Sequence, residues 1–196
     1  MRKKALIIII SLVTYILIPL LIVFNIIDFK YRFYVLVIMG ILSFGVAKLF
    51  KINNIELGIT KKNALISIKR ILPVTSSILL LSLVYYFLGF STYSNNESVL
   101  FYLFYILISC PIQELLYRSI LNKYLDEFKM NYILKIVIAS LLFSLLHIIY
   151  MDTLTLVFTF IIGLYWNYCY YKDKNILGVT ISHILIGVAT IFLGII

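Results

Sequence analysis

Apolar residues run through this chain in long blocks, broken by short polar connections. Runs of about 20 apolar residues read as membrane-spanning helices. The pattern predicts seven, over roughly Ala5–Ile27, Tyr31–Phe50, Leu72–Phe90, Ser98–Tyr117, Tyr132–Tyr150, Leu154–Tyr171 and Ile176–Ile196. The expected fold class is therefore all-α, a polytopic transmembrane bundle. The first run follows Met1-Arg2-Lys3-Lys4 like the apolar core of a signal peptide, but it is too long for one and lacks a small-residue cleavage site before Asp28. It is read as a spanning helix.

Two stretches mix apolar and basic positions. Thr60 to Leu72 sets Lys61, Lys62, Lys69 and Arg70 against Leu65, Ile66, Ile68 and Ile71, which predicts an amphipathic helix on the cytoplasmic surface. Ser119 to Met130 continues the fourth span with a polar face of Asn122, Lys123, Asp126, Glu127 and Lys129, which predicts a long, tilted helix. No repeat, Gly/Ser linker or low-complexity tail is visible, so residues 1–196 are expected to form one transmembrane domain.

Composition agrees with this pattern. Hydrophobic residues make up 63% and charged residues 13%, against about 25% charged in soluble domains, and the mean hydropathy is +1.09. Of 17 basic residues, all but Lys30 and Arg32 fall on one side if the amino terminus is cytoplasmic. The connections Ser91–Glu97 and Met151–Thr153, on the other side, carry no Lys or Arg. The positive-inside rule then predicts a multi-pass cell-membrane protein with a cytoplasmic amino terminus and an external carboxyl terminus. The net charge of +9 is explained by anionic lipid at the cytoplasmic surface, and no nucleic-acid partner is expected.

Against this background the ionisable groups inside the spans stand out. The only two histidines, His147 and His183, lie in apolar runs, as does Glu114. Such a group at membrane depth costs about 2.5–3.5 kcal/mol or more, so it faces a bundle interior or a wet cavity and is a functional-site candidate. Glu114 and Arg118 share a helix face at i and i+4, where the Arg can hold the carboxylate ionised and oriented. Phe143 and His147 repeat the spacing on the next helix, and His183 lies on the last. A carboxylate with two imidazoles can activate water, shuttle a proton or hold a divalent metal such as zinc; the metal-free reading is favoured. The bland alternatives are a structural ion pair and histidines bonded to neighbouring helices. Cys110 and Cys169, isolated and without metal-like spacing, read as small buried apolar residues.

At these residues the sequence resembles the CPBP family of intramembrane proteins, which includes the CAAX proteases and bacteriocin-processing (Abi) proteins. The family pattern is E-E-x-x-x-R on one helix, F-x-x-x-H on the next and H-x-x-x-N or H-x-x-x-D on a later one. The corresponding elements here are Gln113-Glu114-Leu115-Leu116-Tyr117-Arg118, Phe143-Ser144-Leu145-Leu146-His147 and His183-Ile184-Leu185-Ile186-Gly187, with the glycine-containing Phe160–Tyr165 before the last. The resemblance covers about Val99 to Ala189.

The resemblance implies an intramembrane endopeptidase acting on a membrane-associated peptide or protein. Glu114 with His147 would activate water, His183 would polarise the scissile carbonyl, and Arg118 would orient Glu114; Gln113 and Phe143 support the site. Two positions depart from the pattern. Gln113 replaces the first Glu and cannot accept a proton; Gly187 replaces the Asn or Asp and offers no side chain to an oxyanion. The alternative expectation is a non-proteolytic CPBP-like protein, a bacteriocin-immunity or lipoprotein-modification factor. A transporter ranks third, since no paired broken helices repeat in two halves. Membrane lipid is an expected partner, and oligomeric state is left open. At 1.5 Å per residue, His183 lies roughly 10 Å from the cytoplasmic end of its helix and His147 roughly 24 Å. Straight perpendicular helices would keep the two apart; a tilted fourth helix, a break at Pro111 or a displaced fifth helix would bring them together.

Overall fold

A computed structural model describes residues 2–195; Met1, and Ile196 at the expected end of the last span, lie outside the described residues. The chain forms seven long helices and no strand among those residues: α1 (Arg2–Val23), α2 (Arg32–Leu49), α3 (Ala64–Phe87), α4 (Val99–Asp126), α5 (Tyr132–Leu146), α6 (Thr153–Asp173) and α7 (Leu177–Phe192). Capping side chains fix several starts, each accepting a bond from an N–H that the first turn leaves unpaired. Ser98 accepts from Phe101 N at 3.2 Å, Asn131 from Leu134 N at 2.9 Å and Asp152 from Thr155 N at 2.6 Å. Six helices, counting the short turn after α5, are long and apolar enough to cross a membrane. The 16-residue α7 is shorter than expected, about 24 Å at 1.5 Å per residue against a core of about 30 Å. One face of it is buried in the bundle, with Gly178, Val179, Ser182, His183 and Ile186 inside, while Leu177, Leu185 and Phe192 face outward.

The connections differ from expectation in two places. The separate surface helix over Thr60–Leu72 does not exist. After a left-handed residue at Asn63 the chain enters α3 at Ala64 and continues without interruption to Phe87. Lys69 and Arg70 lie instead in the first turns of a span, and Arg70 turns inward to grip both carboxylate oxygens of Asp173 at 2.9 Å. The fourth helix is long, as expected, but stops at Asp126, with left-handed Lys129 closing the turn into α5. Pro111 does not break it; the ring sits in the first turn of an α-helical piece, Cys110–Glu114. That piece lies between two π-helical turns, Tyr105–Ser109 and Leu115–Ile120.

With lipid outside, apolar burial gives little drive for association, and small residues and interhelical hydrogen bonds hold such bundles together. Thr75 on α3 and Ser182 on α7 share a hydrogen bond of 2.7 Å, and Trp166 on α6 donates to Ser182 at 3.0 Å. Asn167 on α6 donates to Ser140 on α5 at 3.1 Å and accepts from Asn122 on α4 at 3.1 Å. Asn175, fully buried before α7, donates to the Thr60 and Lys62 carbonyls at 2.7 and 2.8 Å. At Gly163 a Cβ would stand 3.3 Å from Ser140 and 3.4 Å from Phe143, so the missing side chain sets the closeness of α5 and α6.

Candidate active site

The α-helical piece Cys110–Glu114 carries Gln113 and Glu114 and the second π-turn of α4 carries Arg118 and Ser119; all four are buried. Each wide turn shifts the helical phase, and such turns recur at functional sites. Glu114 and Arg118 are both 0% exposed and His183 is 4% exposed. The Glu114 Oε1 atom lies 2.7 Å from His183 Nδ1, and Oε2 lies 3.1 Å from Arg118 Nε. The latter contact is an ion pair rather than a hydrogen bond, for no guanidinium nitrogen has a hydrogen-bond partner among the described residues. The Arg118 charge rests instead on aromatic faces, 4.1 Å from the Phe143 ring centre and 5.4 Å from that of Trp166. A cation desolvated over rings in this way gains about 2 kcal/mol.

Phe143 is the centre around which the site packs. Its ring stands 5.6 Å from that of His183, 4.8 Å from that of His147 and 5.7 Å from that of Tyr117, all steeply inclined. The two histidines thus share Phe143 as a neighbour, one on each contact, despite the depth difference expected from the sequence. Beyond Leu146 the helix tightens into a 3₁₀ turn, His147–Tyr150. The His147 Nδ1 atom is 2.8 Å from the Phe143 carbonyl oxygen. A carbonyl only accepts, so Nδ1 carries the hydrogen and Nε2 the free lone pair.

His147, Gln113 and Tyr105 line one partly open cavity of about 330 Å³, whose wall also includes Arg32, Glu97 and Asp152. Gln113 donates to Ser109 at 3.0 Å, while its carbonyl oxygen has no partner among the described residues. Glu114 and His183 are not in this lining; His183 stands behind Tyr105 and Phe143, its ring 6.1 Å from that of Tyr105. Of the residues expected at the site, Glu114, Arg118, His183 and Phe143 form one buried cluster, with His147 and Gln113 on its cavity side. The sequence reading missed Tyr105, whose place in an apolar run resembles that of an ordinary core aromatic. A second cavity, of about 240 Å³, lies at the other end of α4 among Lys123, Asp126, Lys135 and Lys174 and contains none of these residues. Among the described residues no three His, Cys, Asp or Glu side chains are grouped as metal ligands, and both Glu114 oxygens already face nitrogen groups.

An all-α polytopic membrane bundle with a buried Glu–Arg–His cluster beside a partly open cavity defines the class of this protein. The family model described as type II CAAX prenyl endopeptidase Rce1-like matches residues 95–189, which hold every residue of that cluster. This segment is similar to the Rce1-like family, in agreement with the CPBP resemblance of its motifs, and the chain is a multi-pass membrane protein. No curated protein and no solved structure matches it.

Proposed function

We propose that the protein is an intramembrane endopeptidase of the CAAX-protease type, cutting a membrane-associated peptide or protein. The observation that carries this reading is the commitment of His147 Nδ1 to the Phe143 carbonyl at the wall of the cavity. It leaves Nε2 as the group able to take a proton from water. Glu114, paired on both oxygens, is a positioning residue that holds His183, and Arg118 fixes its second oxygen. His183, set behind Tyr105 and Phe143, is in this arrangement a positioning residue for the side chains that face the cavity. Lining by Glu97 and Asp152, from connections without Lys or Arg, supports entry of substrate from the face opposite the basic one.

One observation favours a second reading. Gln113 occupies the cavity wall beside His147 where the family pattern has a carboxylate, and this supports a CPBP-like protein that binds without cleaving, in bacteriocin immunity or lipoprotein modification. The test is turnover by the full chain, reconstituted in liposomes, of a lipid-anchored fluorescent peptide library. Cleavage that His147→Ala and Glu114→Gln each abolish, at normal protein level, is the expected result. A biological role that survives both substitutions together with His183→Ala would overturn the peptidase reading.

A further inference from the structure

Gly187 follows His183 by one helical turn and faces the site, yet it supplies no side chain. The space beside it is filled from another helix. A Cβ at position 187 would collide with the Tyr105 hydroxyl and stand 2.8 Å from Cζ and 2.9 Å from Cε1 of that ring. The phenol tip of Tyr105 thus occupies the volume that a side chain at 187 would take. Tyr105 opens the first π-turn of α4, its ring meets that of His183 edge-on at 84°, and it lines the cavity with His147 and Gln113. An O–H group is therefore held between the buried histidine and the cavity.

We propose that the Tyr105 hydroxyl is a catalytic hydrogen-bond donor to the substrate carbonyl oxygen, standing in for the side chain that Gly187 lacks. The assignment rests on the peptidase reading. The water oxygen bonds to the carbonyl carbon, the carbonyl π pair moves onto oxygen, and one water proton passes to His147 Nε2. Tyr105 keeps its proton and directs it at the new oxyanion. On collapse the pair returns, the C–N bond breaks, and the leaving amine takes the proton from His147. One such preorganised donor is worth about 10²–10³-fold in rate.

The experiment follows cleavage of a lipid-anchored apolar reporter peptide and, in parallel, binding of the corresponding peptide aldehyde, by the full chain in liposomes. Tyr105→Phe is expected to lower kcat about 10²-fold with little change in KM or thermal stability, and to weaken aldehyde binding at least about tenfold by the loss of the same donor. Gly187→Asn alone should be impaired by collision with Tyr105. Tyr105→Ala combined with Gly187→Asn, which exchanges the phenol for an amide in the vacated volume, should recover about tenfold over Tyr105→Ala alone, part of what one donor supplies. Cleavage unchanged in Tyr105→Phe overturns the assignment and leaves the peptidase reading standing. Aldehyde binding that depends on Tyr105 without any cleavage overturns the peptidase reading while the donor role stands. A wild-type protein that neither cleaves nor binds overturns both.

Discussion

The guanidinium of Arg118 lies over the ring of Phe143, 4.1 Å from its centre, and this contact connects the charged side of the site to both histidines. Replacing the ring by an aliphatic group keeps most of the packing and removes the π face. Phe143→Leu is expected to lower stability by about 1–2 kcal/mol and to reduce turnover through misplacement of His147 and His183. Thermal unfolding in detergent together with kcat tests this; unchanged turnover would show that Phe143 does not hold the histidines.

The Glu114–Arg118 pair has no exposed surface. Removing one member of such a pair strands a charge and costs about 3–5 kcal/mol, whereas replacing both by apolar groups costs far less. Arg118→Met is therefore expected to be markedly less stable than Arg118→Met with Glu114→Leu, with both variants inactive. Reversible unfolding in mixed micelles compares them, and equal stabilities would argue against a strong coupling.

Gln113 and His147 share the cavity wall. Gln113→Glu places a carboxylate there, able to accept a proton or to orient the attacking water. General-base groups contribute about 10²–10⁴-fold, so turnover of the reporter peptide is expected to rise or, in an inactive wild type, to emerge. A variant that folds and shows no gain would mean that His147 already supplies all the base catalysis the site can use.

Asp152 lies outside the spans and caps α6. Its side-chain bond to Thr155 outweighs partial burial and, with further backbone bonds, holds its carboxyl below the usual range. A depressed carboxyl contributes stability above its unfolded value and loses it as pH falls through the folded one. Asp152→Ala is thus expected to cost about 1 kcal/mol near neutrality, with the difference from wild type shrinking as the carboxyl protonates at acid pH. Melting curves at several pH values provide the check.

A reporter placed after Ile196 should read external and one inserted near Lys61 cytoplasmic, because all basic residues except Lys30 and Arg32 fall on one side. The two exceptions have local partners. Lys30 pairs with Asp28 at 2.9 Å, and Arg32 stacks on Phe29 and Phe33 at 4.1 and 4.4 Å. The opposite result for both reporters would reverse the assignment of faces.

Helix number and the buried positions of Glu114, Arg118 and His183 were legible in the chain, because uninterrupted apolar runs and isolated charges leave few alternatives in lipid. The pairing was less so. The i, i+4 spacing announced Glu114 with Arg118, but nothing in the order of residues told that Glu114 would meet His183 rather than His147, since that depends on how α4, α5 and α7 pack. The span at Ala64–Phe87 was misjudged because Lys69 and Arg70 looked like a surface face; Arg70 needed Asp173, distant in sequence, to lie where it does. The role suggested for Tyr105 had no signal, for a tyrosine among Phe, Leu and Ile is indistinguishable by pattern from packing.

The two wide turns of α4 also bear on how this sequence can change. A π-turn holds about one residue more than a regular turn, so loss of one residue from Tyr105–Ser109 or Leu115–Ile120 lets that turn rewind as α-helix with its flanks little rotated. Loss of a residue elsewhere in α4 rotates everything beyond it by about 100°. The wide turns are thus the places where α4 can lose a residue and keep both halves seated, at the expense of the local row of side chains that each wide turn sets out.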